Sequence, residues 1–141
     1  MNRPLLTTIV WATDGSATAG RCRRELAELC RHDGASLRIV HVASQRPGET
    51  VVAELKAQTR MLRDGGINAS LHVIRGAVGP PGPHIVDVAR AVGAGLLVVS
   101  GADDMVQPLL AAGVCPVLVW VDPERSDDGR SAGPESLAAA A

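Results

Sequence analysis

Three short stretches limit what this chain can fold into: Leu5 to Ala12, Leu96 to Val99 and Pro116 to Val121 are apolar or β-branched and show no polar alternation. Strands of that kind are covered on both faces, as in a parallel sheet sandwiched between helices. They are also far shorter than the roughly 20 residues a bilayer-spanning helix needs. Their interior has to be aliphatic, because Phe and Tyr are absent and Trp11 and Trp120 are the only aromatic residues among 141. A chain of this length supports a single core.

Helical periodicity fills the intervals. Cys22, Leu26, Leu29 and Cys30 share one face of a first helix that Gly34 ends, with Arg21/Glu25 and Arg24/Glu28 four apart on its wet side. Ser36 to Val42 reads as the second strand, and Glu49 to Asp64 as a second amphipathic helix stopped by Gly65-Gly66. Asn68 to Arg75 alternates Ala69, Leu71 and Val73 with Ser70, His72 and Ile74, which predicts an edge strand beside the second. After a Gly- and Pro-rich loop, Ile85, Val88, Ala89 and Val92 mark a third helix with Pro83 in its first turn. A short, irregular helix is expected before the last strand, starting near Asp104 to Gln107, because Pro108 is tolerated only in a first turn. Strands alternating with helices predict a doubly wound α/β sheet with right-handed crossovers, and ligands in such sheets bind beyond the strands' carboxyl ends.

Several functions are disfavoured. A net charge of −1, with Lys56 the single lysine and no basic footprint, argues against nucleic-acid binding. Cys22, Cys30 and Cys115 make no C-x-x-C spacing and point to a reducing compartment, the cytoplasm, with Cys22 and Cys30 as buried thiols on the apolar face of the first helix. His32, His41, His72 and His84 lack metal-ligand spacing, although His41 and His72 fall on strands expected to be neighbours. No P-loop, nucleophile elbow or H-E-x-x-H is present, so no catalytic residue can be named and the chain reads as a non-enzyme. Residues 1–122 read as one domain and 123–141 as a disordered tail.

Ile9-Val10-Trp11-Ala12-Thr13-Asp14-Gly15-Ser16, then Leu96-Leu97-Val98-Val99-Ser100-Gly101, then Cys115-Pro116-Val117-Leu118-Val119, resemble the universal stress protein family in content, order and spacing. The resemblance implies a five-stranded parallel sheet of order 3-2-1-4-5 with helices on both faces, the adenine nucleotide alpha hydrolase-like arrangement. It also implies a nucleotide crevice at Asp14, Val42, Ser100 and Gly101, since the family's nucleotide binders place the residue matching Asp14 near adenosine. Their glycine-rich loop, G-x2-G-x9-G-[S/T], is broken here. Gly101 matches the first glycine, Asp104 replaces the second, no Gly-Ser or Gly-Thr follows, and Cys115 arrives early. Phosphates need free backbone N–H groups and a helix start clear of negative charge, whereas Asp103 and Asp104 bring carboxylates there.

The expectation is a vestigial crevice with no bound cofactor, ATP on a rearranged loop being the alternative. Asp14-Gly15-Ser16 can equally cap a helix, and Ser100-Gly101 can be a plain turn. The last strand is an edge in this fold, so Val117, Val119, Trp120 and Val121 are expected to form a homodimer interface with Trp120 as anchor, unless the tail covers them.

Overall fold

The computed structural model describes residues 7–13, 18–43, 49–76, 79–100 and 106–120. Along the chain lie β1 (Thr8–Thr13), α1 (Thr18–Asp33), β2 (Ser36–Val42), α2 (Glu49–Asp64), β3 (Ala69–Ile74), α3 (Gly82–Val92), β4 (Leu96–Ser100), α4 (Val106–Ala112) and β5 (Val117–Trp120). The five strands form one parallel sheet in the order β3-β2-β1-β4-β5, as expected from the sequence. Leu5, Leu6, Asp14, Gly15, Ser16, Ser44, Gly101, Asp103, Asp104, Val121 and the tail from residue 123 lie outside the described residues.

Chain direction and handedness decide which face each helix covers. The path moves outward from β1 to β3 through α1 and α2, then crosses back and outward to β5 through α3 and α4, so right-handed crossovers put the two pairs on opposite faces. Two apolar clusters record this. Ile9, Trp11, Leu37, Ile39 and Val98 pack under Cys22, Leu26 and Cys30 of α1 and Leu62 of α2. On the other face Val10, Ala12, Val40, Leu97 and Val99 pack under Ile85, Val86 and Ala89 of α3 and Leu109 of α4. Consecutive residues of β1 and β4 serve both clusters, which is why their sequences lack polar alternation.

Local signals end the elements where the sequence suggested. Gly34 and Gly93 take left-handed φ values of 70° and 67°, returning N–H groups to the last helical carbonyls. On α1, Glu28 pairs with Arg31 at 3.1 Å, one turn towards the C-terminal end, where a cation also suits the helix dipole. The last helix is short and clean: α4 has seven residues with Pro108 third, inside its first turn. A Cβ on Gly82 would stand 3.0 Å from Pro108 Cβ, so the glycine lets α3 and α4 approach closely.

Candidate functional site at the strand carboxyl ends

The carboxyl ends of the central strands bring Thr13, His41, Val42, Ala43 and Ser100 to one rim. Thr13 pairs in register with Ser100, and Ala12 with Val40. Trp11, one pleat below Thr13, is fully buried and donates its indole Nε1–H to Ser100 Oγ at 3.0 Å. The Ser100 hydroxyl in turn bonds to Cys22 on α1. A chain of hydrogen bonds therefore ties β1, β4 and α1 together, and Ser100, 1% exposed, uses its hydroxyl inside the frame.

His41 stands at the end of β2 with Nδ1 3.0 Å from the Thr13 carbonyl oxygen. A carbonyl only accepts, so Nδ1 carries the proton and a neutral imidazole leaves Nε2 as its acceptor. Sequence reading weighed His41 only as a metal ligand. Its place on the rim could have been found from its position one residue before Val42. His41 and His72 do sit on adjacent strands, but the register matches His41 with Val73 and Val40 with His72. The two imidazoles thus face opposite sides of the sheet and cannot share an ion. Among the described residues no group of three or more His, Cys, Asp or Glu could hold a metal.

Of the four crevice residues expected from sequence, Val42 and Ser100 fall within the described residues. Val42 is half-buried against the α3 cluster, and Ser100 faces α1. They contribute backbone and walls to the rim rather than polar contacts aimed into it. β4 ends at Ser100 and α4 spans Val106–Ala112, with residues 101–105 between them.

Burial governs the thiols. Desolvation pushes Cys22 up to about 12 despite the Ser100 hydrogen bond, and Cys30 up to about 11; burial also raises Cys115. The folded Cys22 thiol keeps its proton to about pH 12 while an unfolded one ionises near its ordinary 9.0, so above that pH the unfolded state binds fewer protons. Stability in urea is expected to be unaffected by this group below pH 9.0 and to fall as pH rises towards 12. Cys22→Ala should flatten that decline, and an unchanged slope would refute the assignment. In the native protein a thiol reagent should modify half-buried Cys115 first.

The β5 edge presents apolar surface. Leu118 and Val119 are 44% and 40% exposed, and Leu110 on neighbouring α4 is 51% exposed. Trp120, expected as an interface anchor, is partly buried and packs against the α1-side cluster, its Nε1 having no hydrogen-bond partner among the described residues. Val117 packs against the α3 and α4 cluster. Leu118, absent from the residues expected at this edge, is the most exposed residue of β5.

A parallel sheet of order β3-β2-β1-β4-β5 with helices on both faces defines the class as a doubly wound α/β fold. The profile of the Universal stress protein family matches residues 6–110, and the chain belongs to that family. The universal stress protein from Archaeoglobus fulgidus, solved in complex with dAMP, superposes with a TM-score of 0.63 at 25% identity, covering 80% of this chain and 96% of that one. A universal stress protein family member from Burkholderia pseudomallei gives 0.62 at 25% identity, with 84% and 98% covered. UspA from Lactobacillus plantarum gives 0.66 at 16% identity, with 86% and 100% covered, and shows the shared fold. Comparison with curated proteins finds no match. No helix among the described residues is long and apolar enough to cross a membrane.

Proposed function

We propose that this universal stress protein is a non-catalytic module whose strand-end crevice holds ATP poorly and which acts as a homodimer or through a protein partner in a stress response. The observation that carries the reading is one of sequence length and charge: residues 101–105 alone join Ser100 of β4 to Val106 of α4, and two of them are Asp103 and Asp104. A triphosphate is held by several main-chain N–H groups on a glycine-rich loop, and a segment this short and acidic has neither the length nor the potential for it. The non-catalytic part is supported by the occupation of Ser100 and His41 Nδ1 within the frame and by thiols that burial keeps protonated. The dimer is supported by the exposed Leu118 and Val119 on an edge strand, where bare apolar backbone invites pairing.

A second reading, an adenine-nucleotide binder with a rearranged loop, is favoured by the Archaeoglobus relative solved with dAMP. A monophosphate asks less of the missing cradle than ATP does. Thermal melts with Mg²⁺ and either nucleotide separate the readings. With ligand at the value of its dissociation constant the gain is only about 0.4 kcal/mol, a shift of about 2 °C or less. The proposal expects no larger shift with about 1 mM ATP. A rise of several degrees with ATP, accompanied by amide NMR shifts at the strand-end rim, overturns it, and such a rise with dAMP alone supports the second reading.

A further inference from the structure

A cavity of about 440 Å³ opens between α2 and β3, away from the strand-end rim. Four cations line it, Lys56, Arg60 and Arg63 from α2 and Arg75 from just beyond β3, and no carboxylate does so among the described residues. They converge through topology. Lys56, Arg60 and Arg63 recur at four- and three-residue spacing along one stripe of α2, and β3 at the sheet edge lays Leu71 and Val73 beneath that stripe. Arg63 is held in place by donating Nε–H to the Ala69 carbonyl at 2.7 Å, which fixes the plane of its guanidinium.

We propose that this groove binds a small organic anion of charge two or more that also carries an apolar body. Lys56, Arg60 and Arg63 set the charge, since cations gathered along one helical stripe favour a counter-anion, and guanidinium groups match phosphate or carboxylate oxygens. Leu71 and Val73, half-buried beneath the cations, supply the apolar wall. The volume lies in the range of small-molecule sites, about 300 to 1,000 Å³, so the occupant is a metabolite-sized anion. The groove is independent of the crevice reading, because β3 lies two strands from β1 and none of the rim residues lines it.

Amide NMR titration of the full-length protein with phenyl phosphate, inorganic phosphate and benzyl alcohol tests this. Phenyl phosphate is expected to give saturable shifts at residues 52–63 of α2 and 71–75 of β3. It should bind at least about tenfold tighter than inorganic phosphate, the factor expected for covering roughly 60 Å² of ring. Benzyl alcohol should bind more weakly still. Lys56→Glu with Arg60→Glu should lower the phenyl phosphate affinity at least about tenfold at unchanged melting temperature. If that pair unfolds, the milder Lys56→Gln with Arg60→Gln should still weaken it severalfold. Absence of saturable shifts, equal affinity for inorganic phosphate, shifts mapping to the strand-end rim, or indifference to either pair of substitutions overturns the proposal.

Discussion

Trp11→Ala is expected to remove about 3 to 5 kcal/mol of folding stability, the largest single effect in the protein. Trp11 is fully buried at the centre of the sheet, between Ile39 on β2 and Val98 on β4, and packs under α1. Truncation opens a cavity in a core that has no Phe or Tyr to collapse into it. It also takes the indole donor from Ser100. Against a total stability of about 5 to 15 kcal/mol, this is a large fraction of what keeps the domain folded. Trp11→Phe isolates the polar part: it keeps most of the packing and loses the hydrogen bond, so a cost of about 1 to 3 kcal/mol is expected. Urea unfolding of both variants measures the difference, and a Trp11→Ala loss under 1.5 kcal/mol would show that the indole is not the centre of the core.

Leu118→Glu is expected to convert a dimer into a monomer without disturbing the fold. Residue 118 lies on the edge strand and is 44% exposed in the single chain, so a carboxylate there is solvated in the monomer and buried only on pairing. An edge-to-edge contact around a two-fold axis brings two copies of the same strand together, which places both new charges in one small apolar patch. Trp120→Glu is a poorer probe, because the indole packs against the α1-side cluster and its loss weakens the monomer as well. Sedimentation velocity decides: a wild-type monomer, or a Leu118→Glu dimer with unchanged circular dichroism, refutes edge-strand pairing.

What the sequence made readable was whatever a local pattern encodes. The bare aliphatic runs gave β1, β4 and β5, the alternation of Ala69, Leu71 and Val73 placed β3 at an edge, and Glu49 to Asp64 matched α2 at both ends. Side-chain direction at the rim was not readable. The hydrogen bonds through Trp11, Ser100 and Cys22 join residues up to 89 apart in the chain, and only the β1–β4 register makes them neighbours. Ser100 looked like a ligand contact because it ends a strand, yet its alternation with Val99 sends its hydroxyl towards α1. Trp120 looked like an interface anchor because it is large and late. It pairs in register with Ser100, and its indole is long enough to reach the cluster under α1. The cations of the α2 groove form no local pattern in the sequence, because Arg75 follows the other three by a strand and a turn.

The central claim is that residues 101–105 cannot cradle a triphosphate, and isothermal titration calorimetry with ATP and Mg²⁺ measures it directly. The account predicts no saturable heat in the micromolar range and any binding at a dissociation constant of about 1 mM or weaker, near −4 kcal/mol. A saturable isotherm well below that concentration, unchanged in Lys56→Glu with Arg60→Glu so that it reports the rim and not the α2 groove, would contradict it.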